Sequence, residues 1–182
     1  MRLTELMANA SMVSTKLPAD PDISGLSCDS RAVKPGFLFA ALKGSQVDGT
    51  TFINDALSRG ATALLMGTAG LDGPDTRNVT VPVLAAPNPR RSYAHLAAQF
   101  YREQPWSIAA VTGTNGKSSV VSFLRQIWNL NGRSAASLGT LGIESASESV
   151  PLSLTTPDPA VVHGALARLS AAGIDSLAIE AS

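Results

Sequence analysis

Thr112-Gly113-Thr114-Asn115-Gly116-Lys117-Ser118 lies between a short apolar run, Ser107 to Val111, and a stretch with helical periodicity that begins at Lys117. Residues of these types in this order can hold a polyphosphate. Glycines let the backbone curl and approach an anion closely. The N–H groups of Thr114, Asn115, Gly116 and Lys117 can then point at phosphate oxygens, and the start of a helix adds partial positive charge. In such a loop Lys117 lies along the β- and γ-phosphates and the Ser118 hydroxyl binds magnesium. The chemistry expected is binding of a nucleoside triphosphate with Mg2+. The common pattern has glycine five positions before Gly116, where this chain has Val111, so the loop is a variant. The bland alternative, a glycine turn with an incidental lysine, requires strand, turn, helix and Gly-Lys-Ser ending to coincide by chance. A second oxygen ligand for the metal is expected at a neighbouring strand end, and Leu177-Ala178-Ile179-Glu180 supplies an apolar strand closed by a carboxylate. One acid at one strand end is weak evidence by itself.

The elements that must position these groups are regular. Ser107 to Val111 reads as a strand. Lys117 to about Asn129 reads as a helix with Val120, Val121, Leu124, Ile127 and Trp128 on its inner face, closed by Gly132. Ala135 to Leu138 is a second strand, and Ser145 to Ser149 is a polar loop or hairpin. Thr156-Pro157-Asp158 starts a further helix as cap then proline; Val162, Ala165, Leu166 and Leu169 face inward and Gly173 stops it. Ser176 to Glu180 is the third strand. Strands alternating with helices imply a parallel sheet with right-handed crossovers. Three strands are few for a doubly wound nucleotide-binding sheet, so this unit reads as the first part of a larger domain.

The first hundred residues read as a small mixed α/β unit. Phe37 to Leu42 is a continuous apolar run that suits a buried strand. Phe52, Ile53, Ala56 and Leu57 share a helical face, with Gly60 as the stop. Ala63 to Met66 is a strand, Gly67 to Asn78 a loop, and Val81 to Leu84 a strand whose Pro82 belongs near an edge. Asn88-Pro89 opens a helix, with Tyr93, Leu96, Ala97 and Phe100 on its packed face, and Glu103-Gln104-Pro105 ends it. The domains expected are 1–105 and 106–182.

Bulk properties exclude several classes. Apolar residues at 45% support a packed core, and charged residues at only 15% argue against a disordered chain. Fourteen basic and fourteen acidic residues cancel, so neither nucleic acid nor an anionic membrane is an expected partner. The lone cysteine, Cys28, forms no internal disulfide and suits a reducing cytoplasm; it reads as a small buried or half-buried residue. The opening Met1 to Val13 is too broken by Glu5, Asn9 and Ser11 for a signal peptide, and no run is long enough for a membrane helix.

With those residues in hand the chain resembles the Mur ligases, the amide-forming enzymes of peptidoglycan synthesis, and among them the MurE type, which adds the third amino acid. The phosphate loop is similar to theirs. Asp29-Ser30-Arg31, Pro35 to Ala40, Gly44 to Gly49 and Phe52-Ile53 resemble the uridine-binding N-terminal domain. Thr155-Thr156-Pro157-Asp158 and Ile179-Glu180-Ala181-Ser182 resemble segments of the central domain. The resemblance covers essentially the whole chain but only the first part of the family's three-domain protein.

It implies that Cys28 and Ser30 touch the uridine, that Ser45, Gln46 and Val47 form the loop around uracil and diphosphate, and that Thr155, Thr156 and Ser182 contact the sugar-peptide. Gly113, Thr114, Asn115, Gly116, Lys117 and Ser118 would hold ATP, Lys117 acting in catalysis, with Ser118 and Glu180 on the metal. Ser45 replaces a frequent histidine, Leu154 a frequent asparagine and Ser118 the commoner threonine; serine keeps the hydroxyl, whereas Leu154 removes a polar contact. The reaction implied is phosphorylation of the terminal carboxylate of UDP-N-acetylmuramoyl-L-alanyl-D-glutamate by ATP. The amine of a diamino acid, meso-diaminopimelate or lysine, then attacks the acyl phosphate. The resemblance further implies a cytoplasmic protein, a monomer, and a need for a modified lysine and a C-terminal domain that this chain lacks, so that it would not ligate alone. The alternatives are a MurF-type or folylpolyglutamate ligase, an unrelated phosphate-loop kinase, or a non-catalytic nucleotide-sugar binding module.

Overall fold

The computed structural model describes residues 1–8, 13–16 (backbone only), 19–44, 47–71, 76, 79–151 and 157–181. The chain divides into two compact units, Met1–Phe100 and Tyr101–Ser182.

In the first unit the strands β1 (Val13–Lys16), β2 (Gly25–Ser27), β3 (Phe37–Ala40), β4 (Ala63–Gly67) and β5 (Val83–Ala86) form one sheet in the order β1-β5-β4-β3-β2. The four strands β2 to β5 are parallel, and β1 closes one edge antiparallel to β5. Helix α1 (Leu3–Met7) precedes them, α2 (Ile53–Ser58) joins β3 to β4, and α3 (Pro89–Tyr101) follows β5. Parallel strands covered on both faces read as unbroken apolar runs, and these do. Phe39, Leu64 and Met66 pack into one core with Ile53, Ala56 and Val33. Their strand neighbours Leu38 and Leu65 point the opposite way and are equally buried. Helix α3 starts as its sequence demands: the Asn88 side chain accepts a hydrogen bond from the Arg91 N–H at 3.1 Å, and Tyr93, Leu96 and Ala97 are fully buried.

The second unit holds β6 (Ser107–Val111), β7 (Ala135–Gly139), β8 (Gly142–Glu144), β9 (Ser149–Val150) and β10 (Ser176–Glu180) in the order β6-β10-β7-β8-β9. The last strand in sequence is central, parallel to both β6 and β7, while β8 and β9 fold back as an antiparallel extension. Helix α5 (Pro159–Ala171) covers one face, its Ala165, Leu166 and Leu169 packing with Ala136, Leu138, Ile143 and Leu177. Helix α4 (Lys117–Leu130) lies against β7 and β10. It takes the other face, which carries Ala135, Ser137, Ser176 and Ala178 by the alternation of the strands. Those small side chains admit the helix closely.

Four sequence expectations need correction. Strand β5 begins at Val83, not Val81. It is an inner strand, and Pro82 stands just outside it, its carbonyl accepting from the Leu64 N–H at 2.9 Å. Helix α5 is capped by Asp158, whose carboxylate accepts from the Ala160 N–H at 2.7 Å, with Pro159 as its first residue. The cap-then-proline signal occurs twice within four residues, and the second copy won. On α4 only Val121 is buried among the residues assigned inward. Val120 and Ile127 are about half exposed and share an open stripe with Phe123 and Leu130. The helix carries two apolar stripes, and periodicity alone does not say which meets the sheet. Cys28 is exposed and forms no disulfide, where a buried or half-buried residue was expected.

Leu177 sits fully buried in the central strand between two helices. Leu177→Ala should therefore lower the unfolding free energy by about 2–5 kcal/mol, read from the urea midpoint. On α5, burial pushes the His163 imidazole below its ordinary value of 6.5. The folded chain then binds that proton more weakly than the unfolded chain. The stability this group contributes is present above pH 6.5 and is lost as pH falls through that value toward the lowered folded one. His163→Gln should flatten this part of the acid dependence in urea midpoints taken from about pH 8 to 5.

Candidate functional site

The sequence Thr112 to Gly116 forms the turn between β6 and α4, and its geometry follows from two glycines. Gly113 has φ +149° and Gly116 has φ +81°. Gly116 is the residue before the first turn of α4, and no side chain caps the helix there. An α-helix leaves its first N–H groups without internal partners. Here they meet an exposed backbone turn instead of a serine or aspartate oxygen, which is the arrangement that accepts a phosphate. The Lys117 ammonium reaches back over the turn and donates to the Gly113 carbonyl at 2.8 Å. Thr114 and Asn115 are exposed in the turn, and Ser118 is half-buried in the first helical turn beside Lys117.

Glu180 comes to this turn through the sheet. It pairs in register with Val111, the residue before Thr112, and the ladder continues with Ala181 N–H to the Val111 carbonyl at 2.9 Å. Its neighbours Leu177 and Ile179 face α5, so alternation points Glu180 to the α4 side. Lys117, Ser118 and Glu180 thus share one face and one end of the sheet. The Glu180 side chain is buried, and Thr140 binds it: the backbone N–H donates to Oε1 at 3.0 Å and the hydroxyl to Oε2 at 3.3 Å.

A second site belongs to the first unit. A cleft of about 340 Å³ opens where the strands β3 and β4 end, lined by Ala41, Lys43, Asp48, Thr50, Gly67, Gly70 and, at the start of α3, Pro89. Crevices at the carboxyl ends of parallel strands are where such sheets take ligands, and the size suits a small molecule. Asp48 caps the turn at Gly49–Phe52 by accepting from the Thr50 N–H and hydroxyl, both at 3.0 Å, and these bonds hold its carboxyl below the ordinary range. Arg90 donates to the Lys43 carbonyl at 2.6 Å and ties the cleft wall to α3.

The sequence-nominated substrate residues are not gathered here. Among the described residues Cys28, Ser30 and Val47 lie outside the cleft lining. Ser30 is buried, and its hydroxyl is the chief influence that lowers the pKa of the Asp55 carboxyl. Asp29 caps the Ser30–Ala32 turn and pairs with Arg31 at 2.7 Å. Val47 is half exposed, its carbonyl accepting from the Gly44 N–H. Ser45, Gln46, Leu154, Thr155, Thr156 and Ser182 lie outside the described residues. Lys43 and Thr50 on the cleft wall, and Gly139 and Thr140 beside Glu180, are not among the residues nominated from sequence. The spacing of Lys43 and Thr50 about Gly44 to Gly49 was a usable signal, whereas nothing local marked Thr140.

Strand, glycine turn, helix and in-register carboxylate define an α/β protein of the phosphate-loop class. Residues 22–101 match the family profile described as "Mur ligase family, catalytic domain", and residues 111–182 match "Mur ligase middle domain". The chain belongs to the Mur ligase family. It is 44% identical over 182 residues to the UDP-N-acetylmuramoyl-L-alanyl-D-glutamate–2,6-diaminopimelate ligase of Bradyrhizobium diazoefficiens, covering all of this chain and 36% of that one. It is 50% identical over 163 residues to the ligase of the same name from Brucella melitensis, covering 88% of this chain and 32% of that one. The chain therefore spans about a third of these curated relatives' length. A solved structure of a ligase of that name superposes with a TM-score of 0.78 at 26% identity, covering 100% of this chain and 36% of the other. A MurF ligase from Thermotoga maritima in complex with ADP shares the fold, with a TM-score of 0.58 at 23% identity over 86% of this chain and 31% of that one.

No atom lies within 4 Å of a Cβ added at Gly116, so an alanine there meets only the backbone penalty of the left-handed region. Gly116→Ala should cost about 1–2 kcal/mol in urea unfolding.

Proposed function

We propose that this chain supplies the ATP-binding and UDP-substrate-binding parts of a MurE-type ligase. That enzyme joins a diamino acid to UDP-N-acetylmuramoyl-L-alanyl-D-glutamate by way of an acyl phosphate. The observation that carries the reading is the register of Glu180 with Val111 at the head of the phosphate turn. It occurs in a chain that matches, from end to end, the first third of relatives named for this reaction. Those relatives are named for 2,6-diaminopimelate, which is the amino acid we assign. The MurF-type alternative is weaker, because likeness to MurF structures rests on 16–23% identity and speaks to fold alone.

In this reading residues 106–182 bind ATP and residues 1–105 bind the uridine nucleotide. The turn N–H groups and the start of α4 hold the phosphates. Lys117, now on the Gly113 carbonyl, exchanges that neutral acceptor for phosphate oxygens, a stronger charge-assisted bond. It then offsets negative charge that builds on the transferred phosphoryl group. The residues also fit magnesium. Among the described residues no cluster of three or more His, Cys, Asp or Glu could hold a metal. Magnesium with nucleotide asks for less: one or two protein oxygens, the rest coming from phosphates and water. Ser118 and Glu180 are those oxygens, and the ion would supply charge neutralisation at the phosphates. The cleft of the first unit, with Lys43 and Thr50 on its wall, takes part of the uridine diphosphate. No described helix is long and apolar enough to cross a membrane, and we assign a cytoplasmic monomer.

The test is thermal melting with UDP-N-acetylmuramoyl-L-alanyl-D-glutamate, with UDP, and with MgATP. Ligand at about 100 times its Kd stabilises by roughly 2.7 kcal/mol, several degrees for a domain of this size. The muramoyl dipeptide should shift the melt more than UDP does. Lys117→Ala should abolish the MgATP shift while keeping the UDP-dipeptide shift. A cooperatively melting chain that responds to none of the three would sink the reading.

A further inference from the structure

We propose that Thr140 and Gly139 are positioning residues for Glu180, forming a holder that fixes both carboxylate oxygens and thereby sets how tightly the site takes a divalent cation with nucleotide. The proposal rests on the nucleotide-site reading above and adds to it two residues from the β7–β8 corner.

The holder begins with the β7–β8 corner. Gly139 pairs with Gly142, so Thr140 and Leu141 alone make the turn. Thr140 sits in that turn, and its N–H and hydroxyl both donate to Glu180 across 40 residues of sequence. A carboxylate with only 2% of its surface exposed is costly unless hydrogen-bonded. Two donors from one residue, one per oxygen, fix the plane of the group as well as its place.

Gly139 provides the room. A Cβ built on it would lie 2.2 Å from Glu180 Oε1 and 2.5 Å from both its Cδ and Cγ. The side chain lies across the bare face of the glycine, and any larger residue must push it aside. Thr140 holds both carboxylate oxygens, so moving the side chain disturbs those bonds. Strand β7 is also the neighbour of β10 on the side away from β6. The turn that presents phosphate and the corner that holds the carboxylate thus approach Glu180 from opposite sides. A metal-binding carboxylate held by such an outer partner is a common way to orient a ligand, and loss of the partner typically costs 10- to 100-fold in metal affinity.

The experiment measures binding of a fluorescent ATP analogue to the full chain, titrated with magnesium and repeated in EDTA. Magnesium should tighten binding to the wild-type chain, and Glu180→Gln should remove that gain. Gly139→Ala should weaken the magnesium dependence about tenfold or more. Thr140→Val keeps the shape and the N–H but loses the hydroxyl, and should weaken it by about three- to tenfold. Thr140→Ser should restore it to near the wild-type value, and binding in EDTA should be the same for all. If Thr140→Val and Gly139→Ala keep the full magnesium gain while Glu180→Gln loses it, the holder is wrong and the nucleotide site stands. Equal weakening in EDTA and in magnesium means the corner is merely structural, which also overturns the proposal. If the wild-type chain shows no magnesium gain, or Glu180→Gln keeps it, both readings fall together.

Discussion

Insertion of β10 between β6 and β7 is the constraint on which the second unit depends. The strand arrives last in sequence, yet it takes the central position and pairs with both neighbours. One consequence is energetic: Leu177 and Ala178 have no exposed surface, and the face toward α5 gathers its core around the strand. The other is positional. Register with β6 brings Glu180 level with Val111, and register with β7 brings it beside Gly139 and Thr140. A slip of one residue would turn the carboxylate to the α5 side and drive Leu177 out of its core. The hydrophobic pattern that stabilises the sheet is therefore the same pattern that aims the acid.

The turn before α4 leaves the first N–H groups of the helix without a side-chain cap. Helix α3 and helix α5 are capped by Asn88 and Asp158, both through side-chain oxygens. Helix α4 instead follows a glycine at φ +81° with no side-chain cap. A cap would contribute on the order of 1 kcal/mol to the helix, but its oxygen would occupy the place where a phosphate oxygen belongs. The short helices α1 and α2 also start without a side-chain cap, so what sets α4 apart is the glycine turn before it, with positive φ at both Gly113 and Gly116. The Lys117 bond to the Gly113 carbonyl fits that picture, since the ammonium is kept over the turn by an acceptor that an anion outcompetes.

What could be read from sequence followed the range of the forces involved. The strand–turn–helix of residues 107–130 and the strand 176–180 are local in origin, carried by apolar runs and glycine punctuation, and they stood where the residues placed them. The mixed α/β first unit was legible for the same reason, although α1, β1 and β2, of three to five residues each, were too short to show a period. Partner choice was not legible. Nothing in Gly139-Thr140 distinguishes a holder for a distant carboxylate from an ordinary turn, because the bond spans 40 residues. Ser30 shows the reverse case. Its neighbours Asp29 and Arg31 marked it as a candidate, whereas the folded chain buries it at the head of the Ser30–Ala32 turn, a placement no local pattern announced.

Helix α4 shows why one stripe could not be chosen over another. Val121 is buried and Leu124 and Trp128 are half-buried, while Val120, Phe123, Ile127 and Leu130 recur at helical spacing on an open face. The edge strand β6 is open in the same sense, with Ile108 partly exposed. Lys117 and Ser118 must lie on the face toward β10 if they are to share an end of the sheet with Glu180. That demand fixes the rotation of the helix, and the rotation decides which apolar residues are buried. Site geometry and core packing are thus one choice here.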